Sequence, residues 1–386
     1  MRLPPTFYPA LHDRVRAGLA EAGLDALLLD DPLDVAYLTG FAHFPNERPV
    51  VALVPRDGEV LLLVPDLERE YAADQRAAAR LVVYPEFPGE RSPFALLADA
   101  VGGIRRIGHA ASTSTGRVAA VAAAFAGAET VTCELVGRLR LRKTPEEIAL
   151  HTEAARIADA MLAEGARLVA AATGADDLPT ETELAAQVTR FGAAMMYAEH
   201  EDVVVVPMLT GGLVYGGPNS AQPHRLPGGD RLRRGEPFML SLGCAVGGRF
   251  VESERTFLLG EPTAEQRRYY SVVRQAQQVG TEALRPGVRC AEANRTCLDV
   301  IRRAGLAQFL RHRQGHGIGL GFHEPPWVAD GDDTVLEPGM VLSSEPGIYL
   351  PGHAGYRISD TVLVTEDGPR RLTGYPRDLA DIVIGA

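Results

Sequence analysis

The spacing of apolar residues in the first part of the chain predicts alternating helices and strands. In residues 8–23 apolar side chains recur every three or four positions, which indicates one buried face of a helix. Residues 24–30 are mostly leucine and alanine, which is typical of a buried strand. Further strands are predicted at 50–55, 59–65 and 80–84, and further helices at 67–78 and from residue 92. This alternation predicts an α/β domain with a parallel or mixed sheet covered by helices.

A strong helix start follows this first region. Thr144-Pro145-Glu146-Glu147 is a capping box with proline at the first helical position, and the apolar pattern continues to about residue 171. The pattern is weaker in residues 127–141, which end in a run of arginines. We therefore predict two domains, residues 1–137 and residues 138–386.

The second domain contains a weak internal repeat. A predicted helix ending near residue 168 precedes Gly174, and the next helix is predicted to end at Gly192. A later helix ending near residue 284 precedes Gly287, and its successor is predicted to end at Gly305. The glycines are eighteen residues apart in both places. A duplicated helix-turn-helix-strand unit would form two related halves with a cleft where their sheets meet.

Composition and charge exclude several classes of function. With 46% hydrophobic and 23% charged residues, the 386-residue chain has the composition of a soluble globular protein. Its net charge of -11 argues against nucleic-acid and anionic-membrane partners, which need concentrated Lys and Arg. The four cysteines show neither a disulfide spacing nor a Cys-x-x-Cys motif. Without a signal-peptide pattern or a long apolar run, the sequence predicts a cytoplasmic protein.

Two motifs near the C-terminal end could carry chemistry. Gly315-His316-Gly317-Ile318-Gly319 is followed by His323-Glu324-Pro325, and Glu345-Pro346-Gly347 comes later. Glycines keep neighbouring side chains away from His316, and a Pro-Gly pair forces a turn beside Glu345. Either motif alone is more typical of an ordinary loop. Together they indicate a site.

Further candidates lie earlier in the second domain. Glu252 and Glu254 would point to one face of a predicted strand, where they repel unless a cation, a proton or an arginine lies between them. A solvated strand face explains this pair equally well. His224, in the segment Gln222-Pro223-His224, is either a proton carrier or a hydrogen-bonded loop histidine.

The order of these segments resembles the pita-bread metallopeptidase family, which includes prolidase, aminopeptidase P, methionine aminopeptidase and the metal-free relative creatinase. Tyr37-Leu38-Thr39-Gly40 is similar to the N-terminal domain shared by prolidase, aminopeptidase P and creatinase. The resemblance implies an α/β N-terminal domain followed by a pita-bread domain with a pseudo-twofold internal repeat. It also implies a homodimer.

The resemblance assigns the metal ligands position by position. The peptidases of this family hold two divalent metals with two aspartates, a histidine and two glutamates, which fall on Ser241, Glu252, His316, Glu345 and Ser359. A neutral hydroxyl is a poor ligand for a hard dication, so the two serines argue against a two-metal centre. Glu252, His316 and Glu345 are left for one manganese or zinc ion, or for no metal.

The substrate-side residues match the family better. His224 and His323 match two histidines that line the substrate site, and Arg48 matches an arginine that grips a substrate carboxylate. Arg357 also matches and would either assist Arg48 or pair with a nearby acid.

Creatinase provides a second template. Glu254 and Glu345 fall on two creatinase glutamates that surround the substrate guanidinium. Trp327 replaces a second carboxylate-binding arginine of creatinase, and His323-Glu324-Pro325 is the peptidase version, so creatine is not the predicted substrate.

Three functions are compatible with these residues. The first is hydrolysis of a carbon-nitrogen bond in a small carboxylate-bearing substrate, with one metal or none. In it His224 is the acid and base, assisted by His323, Glu254 and Glu345, while Arg48 and Arg357 bind the substrate. The second is Xaa-Pro dipeptidase activity with a single metal. The third is a non-catalytic binding protein on a peptidase fold.

Overall fold

Residues 1–85, 89–175, 177–203 and 210–385 are described by a computed structural model, and the chain divides into two units. The first unit is Leu3–Arg140, and the second is Leu141–Ala386 together with Met1–Arg2. The predicted boundary between residues 137 and 138 falls inside the helix Leu135–Leu141 and stays a prediction.

The first unit is a mixed sheet with helices. Its strands are Ala26–Leu29 (β1), Val51–Pro55 (β2), Leu61–Pro65 (β3), Arg80–Tyr84 (β4), Arg106–His109 (β5) and Glu129–Thr132 (β6). Its helices are Phe7–Ala22 (α1), Pro32–Thr39 (α2), Arg69–Asp74 (α3), Pro93–Asp99 (α4), Thr115–Ala124 (α5) and Leu135–Leu141 (α6). The strand order is β4-β3-β2-β1-β5-β6, with antiparallel pairs on both sides of β2 and parallel pairs elsewhere.

The sequence pattern predicted most of these elements because the central strands are buried along their whole length. Every residue of β1, β2 and β3 is buried, which explains their continuous apolar runs. The helix predicted at 67–78 is shorter in the structure and covers only Arg69–Asp74. Arg76 has a positive φ of 55°, and the chain then turns so that the Ala78 amide donates to the Thr39 carbonyl. The backbone therefore leaves the helix earlier than the apolar spacing indicated.

The second unit contains a large sheet and two helix pairs. Its helices are Pro145–Ala175 (α7), Glu181–Glu199 (α8), Ala264–Ala283 (α9) and Cys290–Arg303 (α10). Its strands are Gly211–Gly216 (β7), Pro237–Val246 (β8), Arg249–Leu259 (β9), Gly315–Gly317 (β10), Glu324–Val328 (β11), Val341–Ser344 (β12), Gly347–Leu350 (β13), Ala354–Arg357 (β14), Ser359–Thr365 (β15), Gly368–Arg371 (β16) and Val383–Ile384 (β17).

The strands of this unit are joined mainly in the order β11-β10-β12-β15-β9-β8-β7. β16 is added beside β15, β17 pairs with β9, and β13 pairs with β14 as a separate hairpin. Helices α7 and α8 pack on each other and on β7, β8 and β9. Helices α9 and α10 also pack on each other. Helix α10 contacts β11, and α9 contacts β12, β13, β14 and β16. Each helix pair therefore covers its own part of the strands, as the predicted repeat requires.

The capping box at the start of α7 is confirmed. The Glu147 amide donates to Thr144 Oγ1, and the Thr144 amide donates to Glu147 Oε2 at 3.0 Å. Both amides lack helical carbonyl partners, so the two side chains satisfy them reciprocally. The long helix that follows is anchored against β8 and β9.

The predicted helix ends near residue 168 and at Gly192 are wrong. Gly174 lies inside α7 and Gly192 lies inside α8. A Cβ atom on Gly192 would lie 2.4 Å from Met161 Sδ, so this glycine allows α7 and α8 to approach closely. In the later half, Gly287 and Gly305 have positive φ angles of 84° and 75° and follow α9 and α10, as predicted. The equal spacing of the glycines thus has different causes in the two halves.

No described helix has the length and apolar character that a membrane span requires.

Candidate active site

A cavity of about 490 Å³ lies in the second unit, on the face of β8 and β9 that carries the predicted carboxylates. Six residues singled out by the sequence line it: His224, Glu252, Glu254, His323, Glu345 and Arg357. Apolar walls are provided by Leu213, Leu242, Phe250 and Phe322. The structure therefore collects residues from five separate segments of the sequence around one space.

Strand alternation places the two neighbouring glutamates. Glu252 and Glu254 both line the cavity, and in the β8–β9 pairing they lie opposite Gly243 and Ser241. They are 8% and 5% exposed, so the solvated strand face that the sequence left open does not describe them. Two buried carboxylates on one face need compensating positive charge.

Glu252, His316 and Glu345 form the first compensated group. His316 Nε2 lies 3.1 Å from Glu345 Oε1 and 3.8 Å from Glu252 Oε2. One ligand atom from each residue falls within 4.8 Å of the others. Two carboxylates and an imidazole at this separation are a donor set that divalent ions accept.

Hydrogen bonding orients the His316 ring toward the carboxylates. Nδ1 lies 3.0 Å from the Gly317 carbonyl oxygen, and only a protonated Nδ1 can donate to that acceptor. Nε2 is buried and has no hydrogen-bond partner of good geometry among the described residues. In the neutral ring Nε2 carries a lone pair, so it needs a proton or a metal ion between itself and the carboxylates. The residues present therefore fit a divalent ion.

The glycines beside His316 make this arrangement possible. A Cβ atom on Gly315 would lie 2.2 Å from the Ser343 carbonyl oxygen, and one on Gly317 would lie 2.3 Å from the Pro325 carbonyl oxygen. β10 is squeezed between β11 and β12, and side chains at these positions would push the strands apart. The glycines thus allow β10, and with it His316, to fit between its neighbouring strands.

The charges in this group shift one another's pKa values. Burial alone would lower the pKa of His316, but the charges of Glu252 and Glu345 raise it to about 9. Burial raises the pKa of Glu252, and repulsion from Glu345 raises it further. Burial also opposes ionisation of Glu345, yet its contact with His316 holds its pKa below the usual range. The group thus takes up positive charge readily.

Glu254 is compensated by an arginine. Arg357 Nη2 donates to Glu254 Oε1 and to Ser241 Oγ, each at 3.0 Å, and Arg357 Nε donates to Glu254 Oε2. Ser241 also donates to Glu254. Arg357 is only 4% exposed, so this is a buried bidentate ion pair. The sequence left two roles open for Arg357, substrate binding or pairing with a nearby acid. In the structure Arg357 pairs with the acid Glu254.

Ser359 occupies the other position where the family resemblance implies a glutamate. Its hydroxyl donates to Glu252 Oε1 at 2.7 Å. Ser241 and Ser359 thus each hydrogen-bond one of the strand glutamates, and neither brings a carboxylate.

Two further residues, which the sequence gave no reason to select, hold Arg357 from behind. Arg357 Nη1 donates to Tyr349 Oη at 3.1 Å, and Tyr349 Oη lies 2.7 Å from His312 Nε2. His312 Nδ1 lies 2.7 Å from the Arg313 carbonyl oxygen, so Nδ1 carries the proton and Nε2 accepts from the tyrosine. His312 lies three residues before Gly315 and Tyr349 two residues after Gly347, and no sequence pattern marks either position.

The two predicted proton carriers differ in exposure. His323 lies against His316, with 4.1 Å between ring centroids, and burial with the nearby His316 charge lowers its pKa to about 4. His323 is therefore neutral at pH 7. His224 is exposed and follows Pro223, whose carbonyl accepts a 2.8 Å hydrogen bond from Tyr215 Oη.

Arg48 lies in the first unit, where its guanidinium pairs with Glu47 and its amide donates to Asn46 Oδ1 at 2.8 Å. Its assignment to a substrate carboxylate stays a prediction.

A group of buried charges supports the motif around His323. Lys143 Nζ lies 2.7 Å from Glu324 Oε1, and Arg249 Nη2 lies 2.8 Å from Glu147 Oε1. His151 is fully buried beside them, with Nδ1 2.8 Å from the Phe250 carbonyl oxygen. Burial, followed by the charges of Lys143 and Arg249, lowers the pKa of His151 to about 3.

This histidine predicts a pH dependence of stability. Between pH 6.5 and about 3 the unfolded chain binds a proton at His151 that the folded chain excludes, so the free energy of unfolding falls as pH falls through that window. His151→Gln should make the slope shallower by up to about 1.4 kcal/mol per pH unit. Urea unfolding at several pH values measures it. Thr152→Ala, an exposed change on the same helix, is the control, and equal slopes in all three proteins would contradict the prediction.

Comparison with known proteins gives two family matches. The model of "Metallopeptidase family M24" matches residues 149–366, and that of "Creatinase/Prolidase N-terminal domain" matches residues 12–142. The chain is 33% identical over 370 residues to a probable dipeptidase PepE of Mycobacterium bovis, covering 94% of this chain and 93% of that protein. It is 32% identical to an Xaa-Pro dipeptidase of Lactobacillus helveticus, covering 96% and 99%.

A solved structure agrees with these matches. The crystal structure of dipeptidase PepE from Mycobacterium ulcerans superimposes with a TM-score of 0.84 and 28% identity, and it covers all of both chains. The predicted architecture, a creatinase-type N-terminal domain followed by a pita-bread domain, is confirmed.

Proposed function

This chain belongs to metallopeptidase family M24, and from that premise we propose that it hydrolyses a carbon-nitrogen bond in a small, carboxylate-bearing, dipeptide-like substrate. We further propose that it works with no more than one divalent ion, held by Glu252, His316 and Glu345. The observation that carries the proposal is the buried His316 Nε2, which faces two carboxylates without a hydrogen-bond partner among the described residues.

A divalent manganese or zinc ion at these three residues would polarise the substrate carbonyl and make a bound water more acidic. The chain's own contribution is to fix the donors. The Gly317 carbonyl fixes the His316 tautomer, Ser359 orients Glu252, and the Glu345 amide donates to the Gln314 carbonyl at 2.8 Å.

A second ion does not suit the neighbouring groups. Its ligands would have to include Ser241 and Ser359, whose hydroxyls already donate to Glu254 and Glu252. Arg357 already supplies positive charge to Glu254 and Ser241, and a further dication beside a guanidinium would be repelled. These contacts leave neither serine hydroxyl free to take the place of the two family carboxylates that would hold a second ion.

The remaining residues can handle protons and orientation. Neutral His323 can donate a hydrogen bond to the substrate carbonyl oxygen as negative charge develops there. His224, at an exposed edge of the cavity, can take a proton from water and return it to the leaving nitrogen. Glu345 helps to orient the water. Because Glu254 is engaged by Arg357, we assign it a positioning role through that arginine rather than a direct contact with substrate.

The names of the relatives suggest where to begin with substrates. The Lactobacillus helveticus relative is an Xaa-Pro dipeptidase, so a dipeptide ending in proline is the first compound to assay. Arg48, a homodimer and a cytoplasmic location remain expectations of the same proposal.

A metal-free reaction is the second candidate. The raised pKa of His316 allows an imidazolium to lie between Glu252 and Glu345 in place of an ion. In that state the three side chains would be held together by a proton, and His224 would carry out the acid-base work alone.

The test combines elemental analysis with an assay. Protein purified without chelator is analysed for metal and assayed with L-alanyl-L-proline after dialysis against EDTA, with and without added manganese. The proposal expects turnover that depends on no more than one ion per chain, and His224→Ala is expected to lower kcat by roughly 10²-fold or more. Turnover unaffected by EDTA supports the metal-free candidate. Absence of turnover on dipeptides under all conditions contradicts the proposal.

A further inference from the structure

Arg313 is a half-buried arginine whose terminal nitrogens are not used by the described part of the chain. Its Nε donates to the Gly315 carbonyl oxygen at 3.0 Å. Its guanidinium carbon lies 4.6 Å from the centre of the Trp327 ring. An arginine has five N–H donors, and no carboxylate of the described residues forms an ion pair with this one. Most of its binding capacity is therefore open.

Trp327 connects this arginine to His316 of the ion-binding group, although neither Arg313 nor Trp327 lines the cavity itself. In the β10–β11 pairing Trp327 lies directly opposite His316, so both side chains leave the sheet on the same face. His316 in turn contacts His323, which lines the cavity.

The two other arginines considered for a substrate carboxylate already pair with glutamates. The Arg357 guanidinium donates hydrogen bonds to Glu254, Ser241 and Tyr349. Arg48 belongs to the first unit and pairs with Glu47. Within the described part of the second unit, Arg313 combines contact with Trp327, the strand partner of His316, with unused donors.

We propose that Arg313, held over the Trp327 ring, binds the carboxylate of the substrate. The inference rests on the proposed function, because it names the group that recognises the acidic end of the same substrate. Stacking on the indole restricts the guanidinium and shields one of its faces from water, while its edge remains available for a bidentate contact. A planar cation prepared in this way loses little freedom when a carboxylate binds.

The single tryptophan of the chain provides a direct readout. Trp327 is the sole Trp in the sequence, so intrinsic tryptophan fluorescence reports on the ring that carries Arg313. L-Alanyl-L-proline and its C-terminal amide, which lacks the carboxylate, are titrated into the holoenzyme, and calorimetry measures the same binding. The dipeptide is expected to bind roughly tenfold to a hundredfold more tightly than the amide.

Substitution of the arginine separates its role from folding. Arg313→Met is expected to remove the preference for the dipeptide over the amide, and to raise KM for the dipeptide about tenfold or more with little change in kcat. Arg313→Lys keeps the charge but loses the planar contact, so an intermediate preference is expected. Arg311→Met is the matched control, since Arg311 is exposed and donates only to backbone carbonyls.

The outcomes distinguish this inference from the proposed function. Equal affinity for dipeptide and amide in the unmodified protein overturns the inference, and so does a preference that survives in Arg313→Met. Absence of saturable binding by both methods also overturns it. If the dipeptide binds in an Arg313-dependent way but is never hydrolysed, the inference stands and the proposed reaction fails. If hydrolysis occurs with no dependence on Arg313, the reaction stands and the inference fails.

Discussion

Glu254→Gln is expected to lower the free energy of unfolding by roughly 3–5 kcal/mol, because it leaves the Arg357 guanidinium buried without a counter-charge. Glu254 and Arg357 are 5% and 4% exposed, so little solvent compensates for the lost carboxylate. Glutamine keeps the size of the side chain and one carbonyl oxygen. The loss therefore reports charge rather than packing. Urea unfolding followed by circular dichroism measures it.

Two further variants test the cause. Ser241→Ala removes one hydrogen bond to Arg357 and one to Glu254 but keeps the ion pair, so it should cost only about 2 kcal/mol. Adding Arg357→Met to Glu254→Gln removes both charges, and the double variant should be more stable than Glu254→Gln alone. If the double variant is the least stable of the set, burial of an unpaired charge is not the reason for the loss.

The second large effect is expected at the ion-binding group. Glu345→Gln should abolish stoichiometric metal binding and lower kcat/KM by at least about 10²-fold, since even partners behind the ligands typically contribute ten- to hundredfold. Glutamine offers a neutral oxygen where His316 Nε2 now faces a carboxylate at 3.1 Å. Metal content after gel filtration and kcat/KM on the dipeptide are the measurements.

Glu282→Gln is the control for this variant because Glu282 is an exposed glutamate on α9 whose side chain accepts a hydrogen bond from Gln278. Glu282→Gln should keep both metal content and activity. A Glu345→Gln protein that retains one ion and more than about a tenth of the activity would remove Glu345 from the ligand set.

The sequence was most informative where a local residue pattern has a single structural explanation. The capping box at Thr144 specified the start of α7, because a threonine and a glutamate at that spacing satisfy the two free amides. Alternation along β9 placed Glu252 and Glu254 on a single face, since the side-chain period of a strand is two. Continuous apolar runs identified β1, β2 and β3 because both of their faces are buried.

The sequence was less informative where a residue serves a distant partner. Gly192 looks like a helix end, but it is needed inside α8 for the contact with Met161, 31 positions earlier. The pairing of Arg357 with Glu254 spans 103 positions, and only the neighbouring strands β9, β14 and β15 bring them together. Arg313 and Trp327 are in contact because β10 and β11 pair, and no local sequence pattern predicts that pairing.

These contacts give a consistent account of charge in the site. Each strand glutamate has a hydroxyl donor, Ser359 for Glu252 and Ser241 for Glu254, and each has a separate source of positive charge. For Glu254 that source is Arg357, which is part of the chain. For Glu252 and Glu345 it is His316 with a proton, or a bound ion. On the proposed function, this arrangement has a role for one exchangeable cation and none for a second.

Anomalous diffraction from crystals equilibrated with manganese tests this claim most directly. The account predicts a single peak per chain, within about 2.0 to 2.2 Å of the His316 nitrogen and the carboxylate oxygens of Glu252 and Glu345. The ion pair between Arg357 and Glu254 should remain intact in the same crystal. A second peak of comparable height, bonded to Ser241 or Ser359 with Arg357 displaced from Glu254, would contradict the account.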